Sequence, residues 1–114
     1  MSDNNRKDVR IQSEQFISYT LFDHDEKVCD EGMGVARDVS RNGMALESRR
    51  SMEVGYRIDL SIALGEEVLQ TEGIVRNVKE PGESGYLIGI EFKNISKEEI
   101  EKLVKQFPNI NRKS

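Results

Sequence analysis

The sequence predicts an all-β domain in which six antiparallel strands form a barrel and one C-terminal helix packs against it. Two observations support this class. Apolar and polar residues alternate through most of six short segments, as in strands with one buried face. These segments are joined by turns that leave no room for crossover helices, which favours an antiparallel barrel. The chain of 114 residues is long enough for one domain that buries a modest core without disulfide bonds or a metal ion.

The predicted strands follow from the alternating apolar positions. The first and third strands each have one apolar face, formed by Ile17, Tyr19 and Leu21 and by Met44 and Leu46. In the second strand, we expect one side to contain Met33, Val35, Arg37 and Val39. The fourth and sixth strands alternate most clearly, with Ile58, Leu60, Ile62 and Leu64 in the fourth and Tyr86, Ile88, Ile90 and Phe92 in the sixth. The fifth spans about Glu67 to Lys79, and its interrupted register at Gly73 predicts a bulge or a barrel corner.

A helix is predicted after the sixth strand. Ser96 and Glu99 have the spacing of a capping box, in which Ser96 accepts a hydrogen bond from the amide of Glu99 and Glu99 reaches back. One helical face is then formed by Ile100, Leu103, Val104 and Phe107. We expect this helix over about residues 97–107, ending before Pro108, and packed on one side or end of the barrel.

Polar segments flank the predicted barrel domain. We expect a flexible N-terminal arm over residues 1–12, the barrel and its closing helix over 13–108, and a polar tail over 109–114. No apolar run approaches the ~18 residues that a membrane span requires, and the polar N-terminus has no signal-peptide core. Cys29 is the single cysteine, so no internal disulfide bond is possible. We therefore expect a cytoplasmic protein without membrane insertion.

Charge and reactive residues argue against several classes of function. The chain has 17 basic and 21 acidic side chains, and the net charge of −4 opposes binding to DNA or long RNA. The net charge does not oppose binding of a small anion, because such binding needs only a local cluster of donors. No nucleophile and base set and no phosphate-binding loop is evident. Cys29 has no basic neighbour except Lys27, and His24 with Asp23 and Asp25 lacks the spacing of zinc ligands. We expect no catalysis, no metal and no cofactor.

Two arginines in the predicted arm, Arg6 and Arg10, have the spacing RxxxR. Arginine pairs bidentately with phosphate, and its fork of donors also matches the O6 and N7 acceptors of guanine. Two such side chains on one segment can clamp a guanine and its phosphate together. Taken alone, the spacing is more typical of solvated arginines in a charged tail.

A second spacing, DxSxxG, falls between the second and third predicted strands, with Asp38, Ser40 and Gly43 at the three fixed positions. In a purely structural interpretation, this segment forms a tight turn in which Asp38 and Ser40 bond neighbouring amides and Asn42-Gly43 supplies positive φ. As a binding site, Asp38 would accept hydrogen bonds from guanine N1–H and N2–H. Ser40 would bond a phosphate or the base, and Gly43 would let the ligand approach the backbone. The turn alone leaves both interpretations open.

The two spacings in this order, with DxSxxG at a strand–strand turn, resemble the PilZ domain, and the resemblance covers nearly the whole chain. Further segments are similar to the family: Arg57–Leu64, Gly73–Arg76, Gly85–Phe92 and the closing helix. The resemblance implies a PilZ-like six-stranded barrel in a bacterial protein that binds the second messenger cyclic di-GMP. The implied ligand-binding residues are Arg6, Arg10, Asp38, Ser40 and Gly43, with the arm folding over the ligand.

The resemblance also bears on stoichiometry. In the family, an additional arginine just before RxxxR tends to accompany binding of a stacked ligand dimer. Asn5 occupies that position here, so one ligand per chain is expected. Lys7 and Arg41 are possible additional ligand contacts, through phosphate, although each side chain is also compatible with simple exposure to solvent.

Several functional hypotheses follow. In the first, cyclic di-GMP orders the arm and alters the affinity for an unidentified protein target. The alternative is a ligand-independent protein-interaction module on the same barrel, which a titration with cyclic di-GMP would distinguish. A small-barrel RNA binder fits poorly, because the net charge is negative and no aromatic residues are interleaved with basic ones. An enzyme that acts on the dinucleotide is the least favoured hypothesis, because the sequence shows no set of metal ligands and no general base placed for catalysis.

Overall fold

The computed structural model describes residues 15–80 and 85–106. The predicted arm and the predicted tail lie outside the described residues, and so do the arm residues Arg6, Lys7 and Arg10. The predictions for those two segments therefore stay predictions, whereas the structure tests the predictions for the barrel and the helix.

Within the described residues, six antiparallel strands form a closed barrel, which confirms the predicted class. The strands are β1 (Gln15–Phe22), β2 (Val28–Val39), β3 (Gly43–Ser48), β4 (Arg57–Leu64), β5 (Glu67–Lys79) and β6 (Tyr86–Lys93), followed by the helix α1 (Lys97–Gln106). The spatial order is β1-β2-β3-β6-β5-β4, and β1 pairs with both β2 and β4. Closure leaves no strand edge free for pairing with another chain.

Alternate side chains of the strands fill the barrel. The predicted inward faces of four strands are buried, except that Tyr86 of β6 is only partly buried: Ile17, Tyr19 and Leu21 of β1, Met44 and Leu46 of β3, Ile58, Leu60, Ile62 and Leu64 of β4, and Ile88, Ile90 and Phe92 of β6. Met52, from the loop after β3, and Leu103 of α1 join the same core. Each fully buried aliphatic side chain contributes about 1.5–3 kcal/mol relative to exposure, so this one cluster is the main source of stability.

The predicted face of β2 is wrong. Met33 is 61 % exposed and Arg37 is also exposed, whereas Gly34 and Ala36 are buried. Val39 is buried because the pairing with β3 shifts between Ala36 and Asp38, which reverses the alternation near the end of the strand. The bulge adds one residue to β2, and a single added residue exchanges the inward and outward faces. Met33 and Val39 therefore belong to opposite faces, although their spacing is even.

The bulge predicted at Gly73 of β5 lies elsewhere. Gly73 pairs regularly with Ile58 of β4 and with Phe92 of β6, and the register shifts between Val75 and Asn77 instead. A glycine is needed at position 73 for a different reason. A Cβ atom there would lie 2.5 Å from the Cγ2 atom of Ile90 and 2.7 Å from the carbonyl oxygen of Glu91. The interrupted pattern therefore reflects a close approach of β5 to β6.

The helix α1 begins with the predicted capping box. The amide of Ser96 donates to Oε1 of Glu99 at 3.0 Å, and the amide of Glu99 donates to Oγ of Ser96 at 3.1 Å. Leu103 is 1 % exposed and packs in the barrel core, while Ile100 is half-buried. The helix contacts β4, and Lys102 forms an ion pair with Glu67 at 3.1 Å. The other two residues of the predicted face, Val104 and Phe107, lie outside the described side chains.

Arg57 joins the end of the β1–β2 hairpin to β4. Its guanidinium lies 3.1 Å from Glu26 and 2.6 Å from Asp59, and its central carbon lies 3.9 Å from the ring centroid of Phe22. We expect Arg57→Ala to lower the free energy of unfolding by about 1–2 kcal/mol, because a cation–π contact and two partly exposed ion pairs are lost together. Urea unfolding measures this change.

A matched control is Arg49→Ala, since Arg49 is exposed and has no ion pair within the described part of the chain. It should leave the unfolding free energy within about 0.5 kcal/mol of the parent value. Equal losses for Arg57→Ala and Arg49→Ala would show that the hairpin does not depend on Arg57.

Candidate functional site

The turn between β2 and β3 is held by its backbone and by one hydroxyl. The amide of Ser40 donates to the carbonyl oxygen of Gly43 at 2.8 Å, and the amide of Asn42 donates to Oγ of Ser40 at 3.2 Å. The carbonyl oxygen of Asn42 accepts a hydrogen bond from the amide of Phe92 at 2.8 Å. This last bond ties the turn to β6, so the turn is fixed on both sides.

The positive φ predicted for Asn42-Gly43 is wrong. The described residues with positive φ are Glu26, Gly55, Gly65, Gly85 and Asn94. A glycine is required at position 43 because a Cβ atom there would collide with the carbonyl oxygen of Ile90. Gly43 therefore allows β3 to lie close to β6, and this explanation requires no ligand.

Asp38 and Ser40 have different roles in the turn. The sequence predicted that both would bond turn amides, but only Ser40 does so within the described residues. Asp38 is exposed, and it forms no hydrogen bond or ion pair with residues 15–80 or 85–106. Its carboxylate is therefore available to an external donor.

This difference predicts different effects on stability. Ser40→Ala should lower the free energy of unfolding by about 0.5–1.5 kcal/mol, because the amide of Asn42 loses its acceptor. Asp38→Ala should leave the unfolding free energy unchanged. Urea denaturation of the two variants measures both values, and equal losses would contradict the assignment of Ser40 as the residue that braces the turn.

A cleft of about 610 Å³ lies on the outer face of the barrel beside this turn. Its floor follows one row of paired residues, in which Asp38 pairs with Ala45, Ala45 with Gly89 and Gly89 with Asn77. The two central residues, Ala45 and Gly89, are small, whereas the two outer residues are polar. The row thus forms a shallow floor with a carboxylate on one side and an amide on the other.

Asn77 lies directly over Gly89. A Cβ atom at position 89 would lie 2.7 Å from both Nδ2 and Oδ1 of Asn77. The absence of a side chain on β6 therefore lets the amide of Asn77 rest against the floor. Both amide atoms can bond a ligand, since Nδ2 donates and Oδ1 accepts hydrogen bonds.

Cations border the cleft on the β5 side. Arg76 and Lys79 line it, and Nε of Arg76 donates to Oε1 of Glu91 at 2.6 Å. The hydrogen bond from Arg76 lowers the pKa of the Glu91 carboxyl, so this ion pair is intact at neutral pH. Lys79 is exposed and has no ion pair within the described part of the chain.

Among the cleft residues that sequence reasoning missed are the three polar residues from β5, Arg76, Asn77 and Lys79. The register shift between Val75 and Asn77 leaves Arg76 and Asn77 exposed in succession, and a strand with strict alternation would have exposed only one of them. The available signal was this adjacent polar pair, which follows the alternating segment Gly73–Val75.

The structure brings together Asp38, Ser40 and Gly43, which all line the cleft. Arg41 projects elsewhere, because it lines a separate groove with residues of α1. The other proposed cationic contacts, at Arg6, Lys7 and Arg10, lie outside the described residues.

The remaining reactive side chains have structural surroundings. The ring of His24 packs edge-on against Tyr56 with centroids 4.9 Å apart, and the carboxylate of Asp23 accepts amides of its own turn. Desolvation, followed by the charges of Asp23 and Asp30, raises the pKa of the Cys29 thiol, which makes Cys29 a poor nucleophile at neutral pH.

Two further observations concern metals and membranes. Within residues 15–80 and 85–106, no three histidine, cysteine or acidic side chains are grouped so that they could hold a metal ion. The same portion of the chain contains no helix with the length and apolar character of a membrane span.

Comparison with known proteins identifies the family. The family model of the PilZ domain matches residues 4–107, which include both motif segments, all six strands and α1. The chain therefore belongs to the PilZ domain family. PilZ domains are binding modules rather than enzymes, and the family is one of cyclic di-GMP receptors. No curated protein matches the chain.

Proposed function

We propose that this protein is a cyclic di-GMP receptor that holds the ligand in the cleft beside the β2–β3 turn. The observation that carries the proposal is the exposed carboxylate of Asp38, which has no partner among residues 15–80 and 85–106 and lies beside Ser40 at one side of a cleft of about 610 Å³ in a PilZ domain. The segment before β1 contributes Arg6 and Arg10, so the two motifs meet on opposite sides of one ligand.

Each motif residue has a distinct task. Asp38 accepts hydrogen bonds from N1–H and N2–H of a guanine, which only guanine among the common bases offers as an adjacent pair of donors. Ser40 accepts the amide of Asn42, and its hydroxyl donates to the carbonyl oxygen of Gly43 at a long 3.4 Å, a bond that it would exchange for one to a phosphate. Arg6 and Arg10 bind the Hoogsteen edge of the guanine and a phosphate bidentately. Gly43 keeps the cleft open at its closest point to the backbone.

The other side of the cleft suits the second half of the dinucleotide. The small side chain of Ala45 leaves room for the face of a purine beside the amide of Asn77, which covers Gly89. Arg76 and Lys79 supply cations for the phosphates, and Asn77 supplies an amide for a base edge. Lys7 remains a proposed phosphate contact. Arg41 lines a different groove, and this position argues against a direct ligand contact from that side chain.

The proposed signal is the position of the N-terminal segment. Ligand binding fixes residues 5–12 on the barrel, and the surface so created alters the affinity for an unidentified protein target. The receptor would act in the cytoplasm of a bacterium, where the second messenger is made. The alternative is an interaction module that uses the same barrel without ligand, and it differs in one measurable respect, since it predicts no saturable binding of cyclic di-GMP.

Calorimetric titration of the full chain with cyclic di-GMP tests the proposal. We expect saturable binding of one ligand per chain, because Asn5 lacks the cationic fork that supports a stacked ligand dimer. Cyclic di-AMP is the matched control, since adenine lacks the N1–H and N2–H donors that Asp38 requires, and it should bind at least tenfold more weakly. Absence of binding would favour the interaction module.

Stoichiometry is a separate outcome of the same titration. Two ligands per chain would leave the receptor intact but would contradict the argument from Asn5. With one ligand per parent chain, the variant Asn5→Arg is informative, because it introduces the arginine that accompanies ligand dimers in the family. We expect this variant to take up a second ligand.

A further inference from the structure

A second concave surface lies on the other side of the β2–β3 turn. This groove has a volume of about 580 Å³ and is lined by Arg41 of the turn and by Lys97, Ile100, Glu101 and Lys105 of α1. Lys97, Glu101 and Lys105 are four residues apart along the helix and therefore follow one row on its surface. Arg41 forms the opposite side of the groove.

The charge of this groove is opposite to that of the chain. Among the described residues, three cations and one carboxylate line it, whereas the whole chain has a net charge of −4. Arg41, Lys97 and Lys105 are exposed and form no ion pair within the described residues. By contrast, the neighbouring Lys102 of the same helix is paired with Glu67 at 3.1 Å.

The groove also has an apolar centre. Ile100 lines it and is only half-buried, while Leu103, at the next turn, is completely packed in the barrel core. A half-buried aliphatic side chain surrounded by charges is the arrangement of a small protein interface, in which one apolar anchor is enclosed by a polar rim.

We propose that this groove docks an acidic peptide segment of a partner protein. One apolar side chain of the peptide rests on Ile100, and its carboxylates face Arg41, Lys97 and Lys105. An anionic membrane is the weaker candidate, because membrane-binding polybasic clusters contain about 4–8 lysine or arginine residues without intervening acids. The described lining of the groove offers three cations, and it contains Glu101.

The groove is placed to serve as the output surface of the receptor. Arg41 follows Ser40 directly, so the same four-residue turn borders the dinucleotide cleft and the peptide groove. Peptide docking itself does not require cyclic di-GMP, and it can therefore be tested on the ligand-free chain. Failure of docking would leave the ligand proposal untouched.

The experiment is an NMR titration of the full chain with the acetylated, amidated peptide Glu-Asp-Glu-Leu-Glu-Asp-Glu. We expect saturable shifts of the amide signals of Arg41, Lys97, Ile100 and Lys105 that share one dissociation constant and weaken with added salt. Shifts confined to other surfaces, or no shifts at millimolar peptide, would overturn the proposal. A peptide with serine in place of leucine should bind several times more weakly, and equal binding would exclude an apolar anchor.

The matched variants change the same charge at different places on α1. The double variant Lys97→Glu/Lys105→Glu should bind the peptide roughly five- to tenfold more weakly, because two favourable pairs become repulsive. Lys102→Glu reverses a charge outside the groove and should keep the parent affinity. Arg41→Glu repeats the test from the turn if the double variant fails to fold. Binding to phosphatidylglycerol vesicles with no peptide binding would assign the groove to membranes and overturn the proposal.

Discussion

Arg6→Ala and Arg10→Ala will each weaken cyclic di-GMP binding roughly ten- to a hundredfold in a calorimetric titration. Each arginine supplies charge-assisted hydrogen bonds to guanine or phosphate, and such bonds contribute ~1.5–3 kcal/mol. At ~1.4 kcal/mol per factor of ten, this range gives the expected loss. The thermal unfolding temperature should stay nearly unchanged, because the core formed by the described residues is already closed by β1 to β6, Met52 and α1.

Arg→Lys variants at the same positions separate charge from geometry. A lysine retains the charge but cannot present two parallel donors to guanine, so we expect partial recovery of affinity. Complete recovery would reduce the role of Arg6 and Arg10 to simple phosphate attraction. Affinity equal to the parent value in both alanine variants would contradict the guanine clamp.

Ala45→Phe should weaken cyclic di-GMP binding by a comparable amount. Ala45 pairs with Gly89 at the centre of the cleft floor, and its side chain points outward from the barrel. A phenyl group there would occupy the space proposed for the purine, and forcing groups into filled space costs about 1–3 kcal/mol. The expected loss is therefore roughly five- to a hundredfold at ~1.4 kcal/mol per factor of ten.

The control for Ala45→Phe is Ala63→Phe. Ala63 is exposed on the outer face of β4, a strand that does not line the cleft, so the same substitution should leave ligand affinity unchanged. Both variants should retain the circular dichroism spectrum of the barrel. Parent-like affinity in a folded Ala45→Phe variant would show that the ligand does not lie on the Ala45–Gly89 floor.

The fold was predictable where one face of a strand is buried throughout. In β4, Ile58 to Leu64 alternate without interruption, because the strand pairs regularly with β1 and β5. The face of β2 was not predictable in the same way, because a bulge reverses the alternation after Ala36. The alternation of apolar residues predicts the buried face of a strand that pairs without interruption, and the prediction fails where a bulge adds a residue.

The candidate site was predictable only in part, for a related reason. The β2–β3 turn is contiguous in sequence, so Asp38, Ser40 and Gly43 could be recognised as one motif. The opposite side comes from β5, which reaches the cleft only because β6 lies between β3 and β5 in the barrel. Arg76 and Asn77 line the same cleft as Asp38 because of the strand order and the bulge after Val75, and neither of these can be derived from spacing along the chain.

The most direct test of the central claim is an amide chemical-shift map of the barrel during titration with cyclic di-GMP. We expect the largest changes along the row that joins the two sides of the cleft, at Asp38, Ser40, Ala45, Gly89 and Asn77. The outer face of β4 should change little. Saturable changes on β4 with an unaltered β2–β3 turn would contradict the proposed binding site.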